Sequence, residues 1–203
     1  MTTGVQGSTQ PGIVSKDAVG ARLRALRKSK GFTLKRLSEA SGVPVSTLSK
    51  IELAQTALSY DKFRAVAQAL EVDIAELLQA KNHQAEQAFG SGLVLKASIV
   101  EHDEYTSDNY QHKFLFSETR GKDMTPIVAT VNSREVNDFS EFIKHPGQEF
   151  ALVLSGAVRI LFEDGTSIHL KRNEAAYFDS SVGHVYLSSS KTPARVLAVC
   201  SDR

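Results

Sequence analysis

An α+β chain of two domains is the architecture that this sequence favours: a bundle of five short helices, then a sandwich or barrel of short β-strands. Apolar residues recur at helical spacing over residues 16–80 and at period two from Leu93 onward. Lys and Arg outnumber Asp and Glu by 11 to 7 over residues 1–80, and the balance reverses to 13 against 16 over residues 81–203. All six histidines and 12 of the 15 aromatic residues lie in the second part. The two parts therefore differ in chemistry, and we expect them to fold as separate domains.

The composition is that of a folded protein from a reducing compartment. Apolar residues make up 41% and charged residues 23% of the chain. Cys200 is the only cysteine, which excludes an internal disulfide and favours a cytoplasmic location. No apolar run approaches the ~20 residues of a membrane span, and the N-terminus lacks a secretory signal pattern. We expect no membrane partner, a disordered tail over 1–15, a helical domain over 16–80, a linker over 81–92 and a β domain over 93–203.

Each helix of the first domain is predicted from an apolar stripe and a boundary residue. Gly31 and Gly42 end the first two helices. The later helices begin at residues suited to a helix N-terminus: Thr33, Pro44, Ser59 and Asp73. The apolar positions that we expect to be buried are Val19, Leu23, Leu26, Leu34, Leu37, Leu48, Ile51, Phe63, Val66, Ala67, Leu70, Ile74, Leu77 and Leu78. The tight turn at Gly42 makes the second and third helices a helix-turn-helix pair.

The third helix has the properties of a helix that reads DNA. Small or polar side chains at its N-terminal end would reach base edges in a major groove. Residues 16–36 hold eight basic residues and one acid, which suits a phosphate backbone, although a solvated basic helix face is the plain alternative. The residues that we expect to contact DNA are Lys35, Arg36, Val45, Ser46, Thr47, Lys50, Gln55 and Thr56. Arg24 and Glu52 are interpreted as a pair within the bundle.

Residues 18–78 resemble the DNA-binding domain of phage-repressor-like (Cro/C1, or XRE) regulators. The most specific segments of the resemblance are Ser46-Thr47-Leu48-Ser49-Lys50-Ile51-Glu52 and Ala67-Gln68-Ala69-Leu70. The chain departs from the family at Leu34, where Gln is frequent, and at Ala54, where Gly is frequent. The resemblance implies a sequence-specific transcriptional regulator whose partner is a double-stranded DNA operator.

The second domain shows short apolar segments separated by turn residues, which predicts a sandwich or barrel. Asp164-Gly165 is the clearest hairpin signal of the chain. The segments predicted as strands are Leu93–Val100, Lys113–Phe116, Ile127–Val131, Phe139–Lys144, Phe150–Leu154, Val158–Phe162, Ser167–Leu170, Ala175–Phe178, Val185–Leu187 and Arg195–Val199.

Two segments of this domain, HPGQEFALVLSG at 145–156 and NEAAYFDSSVGHVY at 173–186, resemble the two motifs of the cupin superfamily. The resemblance implies a double-stranded β-helix barrel with His145, Glu149 and His184 as its ligand set. Ile143 stands where the family has its first histidine. The remaining two imidazoles and one carboxylate would still suit a divalent metal such as Zn, Fe, Mn or Ni. The alternative is that the metal was lost with that histidine, and that His145, Glu149 and His184 line a pocket for an organic ligand.

Together the two resemblances predict a DNA-binding transcriptional regulator that acts as a homodimer and senses a small-molecule effector or a metal in its cupin barrel. We expect no enzymatic activity. A metal-dependent cupin oxygenase or isomerase is the competing class, and Ile143 and the basic helical domain argue against it. An antitoxin-type DNA binder is a third reading. His102 and His112 are interpreted as surface or loop residues, and His169 as solvent-facing.

Overall fold

The helical domain forms as the capping residues and apolar stripes predict. The computed structural model describes residues 13–78, 87–100 and 104–201. Its helices are α1 (Lys16–Ser29), α2 (Leu34–Ser41), α3 (Val45–Glu52), α4 (Tyr60–Leu70) and α5 (Ile74–Leu78). The side chains of Ser15 and Thr33 accept hydrogen bonds from the backbone N–H groups of Ala18 and Arg36, which stabilises the starts of α1 and α2. No helix within these ranges is long and apolar enough to cross a bilayer.

Close packing fixes the position of α3 in the bundle. Leu48 and Ile51, on its inner face, are almost completely buried. A Cβ placed on Gly20 of α1 would lie 2.2 Å from the carbonyl oxygen of Ile51, so only glycine allows α1 to pass α3 at this distance. The carboxylate of Glu52 accepts hydrogen bonds of 2.5 and 2.8 Å from the guanidinium of Arg27. The prediction that Glu52 pairs with Arg24 was therefore wrong by about one turn of α1, because Arg27 faces the bundle there.

The strands of the second domain form two larger sheets and one small ladder. Their bounds are β1 (Ile13–Val14), β2 (Gln87–Ala88), β3 (Glu104–Thr106), β4 (Tyr110–Phe114), β5 (Thr119–Arg120), β6 (Met124–Val131), β7 (Gln148–Ser155), β8 (Ala157–Phe162), β9 (Ser167–Lys171), β10 (Ala175–Asp179), β11 (His184–Ser188) and β12 (Ala194–Ser201). The order is β1-β3-β4-β6-β12-β7-β10 in the seven-stranded sheet and β11-β8-β9 in the three-stranded sheet. A short ladder of β2 and β5 stands apart from both.

The two larger sheets face each other across an apolar core. Ala151, Val153 and Val196 contribute from the seven-stranded sheet, and Val158 and Ile160 contribute from the three-stranded sheet. The hairpin predicted at Asp164-Gly165 joins β8 to β9, with Gly165 in the left-handed region at φ 87°. The barrel prediction is realised as two facing sheets, since no strand ladder joins their edges among the residues that the structure describes.

Three sequence predictions differ from the structure in this domain. Residues 93–100 form no strand, and residues 139–144 form only a single bridge, between Ile143 and His184. Phe139 and Ile143 of the second segment pack against the core between the sheets, whereas Val94 and Val100 of the first segment are 91% and 75% exposed. Ile13 and Val14, inside the tail predicted to be disordered, form β1 and pair in parallel with Glu104 and Tyr105 of β3. Residues 1–12 and 79–86, the rest of the predicted tail and much of the predicted linker, lie outside the described residues.

Helix α4 makes the main contact between the helical domain and the sheets. The Phe63 ring lies 5.1 Å from the Tyr105 ring and 6.0 Å from the Phe114 ring. The backbone N–H of Leu58 donates a 2.6 Å hydrogen bond to the Tyr105 hydroxyl oxygen. One apolar core therefore runs from the helices into the sheet, so the two domains are packed together rather than merely tethered.

Candidate nucleic-acid interface and buried carboxylate site

Helix α3 presents a polar outer face while its inner face is held in the bundle. Ser46 and Lys50 are exposed, Val45 is 43% exposed, and Thr47 is half-buried. Because Leu48 and Ile51 are buried beneath them, the helix face that carries these side chains is fixed relative to the bundle. The structure thus places the four predicted contacts of α3 on the solvent side of the bundle, with Thr47 partly covered.

The other four predicted DNA contacts flank this face. Lys35 is exposed and lies 3.9 Å from Glu39, and the Arg36 guanidinium stacks over the Phe32 ring at 4.1 Å. Gln55 is exposed just after α3, and the Thr56 hydroxyl donates a 3.4 Å hydrogen bond to Asp108 of the sheet domain. Ala54, where glycine is frequent in the resembling family, takes a left-handed conformation at φ 56°. The backbone after α3 therefore turns as a glycine there would allow.

Inside the sheet domain, the predicted site residues lie around one buried carboxylate. Glu149 of β7 is 3% exposed, and its Oε2 lies 3.0 Å from His145 Nε2 and 3.3 Å from His184 Nε2. The Tyr186 hydroxyl donates a hydrogen bond to Oε1 of the same carboxylate. His145, Glu149 and His184 are all turned inward. The structure therefore brings together the three residues that the cupin motifs implied.

The partners of Glu149 control its ionisation. Burial raises the pKa of its carboxyl group, but the hydrogen bonds from His145 and His184 outweigh burial and hold that pKa well below its usual range. Burial lowers the pKa of His184, yet the contact with Glu149 leaves it above the ordinary value. Burial raises the pKa of the Tyr186 hydroxyl well above its usual value, with the Glu149 charge adding to the effect. The site therefore holds an anionic carboxylate that is compensated by neighbouring donors.

Two further residues of this site were not among the predicted ones. Cys200 of β12 pairs in register with Glu149, and its Sγ lies 3.6 Å from Glu149 Oε2. The ring of Tyr60, from α4 of the helical domain, lies 5.0 Å from the His145 ring in an edge-on contact. In the structure, the alternation along β12 turns Cys200 inward with Val196 and Ala198, and this period of two was a signal that could have identified it. No pattern in the sequence indicated Tyr60, because its partner lies in the other domain.

The donor set fits a divalent cation. His145, Glu149 and Cys200 offer nitrogen, oxygen and sulfur atoms that all lie within 4.8 Å of one another, and His184 contacts the same carboxylate. The cavity that they line has a volume of about 50 Å³ and also includes Ile143. That volume holds an ion with a few water molecules, whereas sites for organic ligands usually measure about 300–1,000 Å³.

The histidines outside the motifs do not share one environment. His112 was predicted to be a surface or loop residue, but it lies on β4 and is only 7% exposed. Burial lowers its pKa to about 4, so the buried ring is neutral near pH 7. His169 is exposed on β9, as predicted from its alternation with Ile168 and Leu170. His102 lies outside the described residues.

Comparisons with known proteins support both halves of this description. A helix-turn-helix family model matches residues 23–77, and a cupin-domain family model matches residues 135–200. The HTH-type transcriptional regulator PuuR of Escherichia coli (strain K12) is 21% identical over 181 residues, which cover 89% of this chain and 93% of PuuR. The HTH-type transcriptional regulator SlrR of Bacillus subtilis (strain 168) is 30% identical over 122 residues, which cover 59% of this chain and 78% of SlrR.

A solved structure shares the fold over most of the chain. The crystal structure of an HTH_3 family transcriptional regulator from Vibrio cholerae superposes with a TM-score of 0.61 at 18% identity, covering 93% of this chain and 97% of that one. This similarity concerns the fold, and the sequence relatives supply the family. The chain therefore belongs to the XRE-type helix-turn-helix transcriptional regulators, DNA-binding proteins, and it carries a cupin domain as its C-terminal part.

Proposed function

We propose that this regulator binds a two-fold symmetric operator as a homodimer, and that the occupant of its cupin domain adjusts operator binding. The observation that supports the DNA-binding surface is that α3 has one buried face and one exposed face. Leu48 and Ile51 anchor the helix in the core, and Val45, Ser46, Thr47 and Lys50 are presented outward. In this proposal Lys35, Arg36, Gln55 and Thr56 contact the phosphate backbone and set the register of α3 in the major groove.

The outer face of the seven-stranded sheet supports the homodimer. Phe150 on β7 is 36% exposed, and its register partner Tyr177 on β10 is 67% exposed. Leu152, Leu197 and Val199 lie on the same outer face and are half-buried. A second copy on this face would cover the apolar stripe and supply the second helix-turn-helix, since one copy reads only half of a symmetric site.

A divalent cation at His145, Glu149, His184 and Cys200 is the proposed occupant of the inner cavity. The donor types suit Zn, Fe, Mn or Ni, and the cavity of about 50 Å³ suits an ion. When bound, the ion supplies a fixed positive charge beside Glu149. The small cavity and Ile143 at a ligand position leave little room for an organic substrate beside the ion, which favours a sensor over an oxygenase or isomerase.

The proposed DNA surface is tested by a charge reversal in the full-length protein. A selection from a random duplex library defines the preferred site, and footprinting then measures binding to it. Lys50→Glu is expected to lower affinity for the selected site at least a hundredfold without lowering the melting temperature, because the side chain is exposed. Lys171→Glu, on exposed β9, is the matched control and should bind normally. A Lys50→Glu protein that protects the site as well as the wild type would contradict this placement of α3.

A further inference from the structure

One arginine of helix α4 joins the DNA-binding domain to the buried carboxylate site. Arg64 is half-buried, and its Nη1 lies 3.3 Å from Nδ1 of His145. The same nitrogen donates hydrogen bonds to the carbonyl oxygens of Pro146 at 2.8 Å and Ser201 at 3.0 Å. These two residues directly follow His145 and Cys200 in the chain. Arg64 therefore holds the cupin domain beside two of the proposed cation donors.

The Arg64 contact identifies which nitrogen of the His145 ring carries the proton. A guanidinium donates hydrogen bonds and accepts none, so Nδ1 of His145 is the acceptor. A proton on Nδ1 would point at a donor and at a positive charge. The ring proton therefore lies on Nε2, which donates to Oε2 of Glu149 at 3.0 Å. In this tautomer His145 presents an N–H group, rather than a lone pair, to the inner cavity.

His184, the second histidine of the site, has the opposite arrangement. Its Nδ1 lies 2.9 Å from the carbonyl oxygen of Val182, which only accepts, so this nitrogen carries a proton. A histidine that ligates a metal through one ring nitrogen usually donates the other N–H to such a carbonyl or to a carboxylate. His184 can therefore turn Nε2 to a cation without changing its partner at Nδ1, whereas His145 must first lose Arg64.

We propose that cation binding at His145 and the Arg64 contact with the same ring exclude each other, so that α4 of the DNA-binding domain loses this contact when the site is filled. A neutral His145 that ligates through Nε2 carries its proton on Nδ1, and Arg64 has no acceptor for that proton. The cation and the Arg64 contact therefore favour different states of the protein, which is the differential affinity that regulation requires. The proposal rests on the cation and the regulatory function proposed above.

Zinc titration of the full-length protein, freed of metal by a chelator, tests this exclusion. Calorimetry should give Arg64→Met a Zn²⁺ affinity about tenfold above that of the wild type, because no donor then has to leave Nδ1 of His145. Arg64→Gln should also bind more tightly, because its amide can either donate or accept and so suits both tautomers. Arg172→Met, in the exposed turn before β10, is the matched control and should bind Zn²⁺ as the wild type does.

A double-mutant cycle separates the exclusion from a general repulsion between the Arg64 charge and a cation. Glu149, His184 and Cys200 remain as donors in a His145→Ala background, where Arg64→Met should change Zn²⁺ affinity less than about twofold. In a His184→Ala background the effect of about tenfold should persist. A general repulsion would act equally in both backgrounds. Equal effects in the two backgrounds, or equal affinities of Arg64→Met and the wild type, would overturn the proposal.

Heteronuclear NMR of protein with isotope-labelled histidine observes the tautomer directly, and the signals of His145 are assigned by their loss in His145→Ala. Nδ1 of His145 should be unprotonated before Zn²⁺ is added and protonated once Zn²⁺ is bound. A protonated Nδ1 before Zn²⁺ is added would contradict the role of Arg64. A wild type that takes up no Zn²⁺ would overturn the proposed occupant and this exclusion together. Zn²⁺ binding with the expected Arg64 effect, but without binding to any selected DNA, would instead count against the proposed regulatory function.

Discussion

The guanidinium of Arg64, on α4 of the DNA-binding domain, lies 3.3 Å from Nδ1 of His145 in the cupin domain. The same guanidinium donates hydrogen bonds to the carbonyl oxygens of Pro146 and Ser201, at 2.8 and 3.0 Å. His145 in turn contacts Glu149 through its other ring nitrogen. One side chain of the DNA-binding domain therefore reaches a ring of the buried carboxylate site directly.

Replacing Arg64 should loosen the contact between the domains. Hydrogen bonds to charged groups contribute about 1.5–3 kcal/mol each, and Arg64→Ala removes several in partly exposed positions. We expect a loss of about 2 kcal/mol and a broader thermal transition that calorimetry resolves into two. Arg172→Ala, in the exposed turn before β10, is the control. Identical single transitions for the two variants would show that α4 does not couple the domains.

The metal content of the protein should depend on the inner donors. Protein purified without chelator is expected to contain about one divalent ion per chain by plasma emission spectroscopy. His184→Ala and Cys200→Ser should each lower that content, and acid should release the ion because its ligands must be deprotonated. His169→Ala, on exposed β9, should keep the wild-type content. A wild-type protein that is metal-free and does not take up added Zn²⁺ would contradict the metal site, and the Glu149 carboxylate would then be held by hydrogen bonds alone.

Acid should destabilise the protein through His112. Its folded pKa is about 4, below the ordinary value of about 6.5. The unfolded chain therefore binds a proton that the folded chain does not, and the stability contribution of the neutral ring is lost as the pH falls from 6.5 towards 4. Between pH 7.5 and pH 5 the loss should be about 2 kcal/mol.

Urea denaturation at these two pH values measures that loss. His112→Phe should lose about 2 kcal/mol less than the wild type over this interval. His184, whose pKa is raised, acts in the opposite direction: its contribution is present at low pH and is lost as the pH rises through its folded pKa. The wild type and His112→Phe both retain the His184 contribution, so the difference between their losses of stability comes from His112. His169→Phe, an exposed control, should follow the wild type, and equal losses for all three would exclude this assignment.

The apolar outer face of the seven-stranded sheet should mediate dimerisation. Phe150→Glu places a charge in the centre of the stripe formed with Tyr177 and Val199, and it should convert the dimer to a monomer at micromolar concentration. Light scattering measures the mass, and footprinting should show at least tenfold weaker binding to the selected site. His169→Glu, on the exposed face of β9, is the control. An intact Phe150→Glu dimer would place the interface elsewhere.

Much of the fold followed from local patterns in the sequence. Thr33 and Gly42 bound α2 as predicted, and Asp164-Gly165 forms the expected hairpin. Residues 139–144 were misread as a strand because Phe139 and Ile143 pack against the core without joining a ladder. Residues 93–100 were misread because half-buried and exposed residues alternate there although the segment forms no strand. A period of two indicates which side chains are buried, but it does not show whether the segment joins a sheet.

The candidate site was partly predictable for a different reason. The cupin motifs indicated His145, Glu149 and His184, which lie on separate segments of the chain. Cys200 joins them through its register with Glu149, and register between distant strands has no local signal. Tyr60 was not predicted as a site residue because packing within the helical bundle accounts for the apolar stripe of α4.

The pairing of β1 with β3 limits how the DNA-binding domain can respond. Ile13 and Val14 precede α1, yet they lie on the cupin sheet beside Glu104 and Tyr105. The helical domain is thus anchored to the sheet through the segment before its first helix as well as through α4. With these two attachments, the helical domain can move relative to the sheet mainly by a small rotation about the line that joins them. In a dimer, such rotations would alter the angular phase between the two reading helices, so operators with one base pair added or removed at the centre should distinguish the states of this regulator.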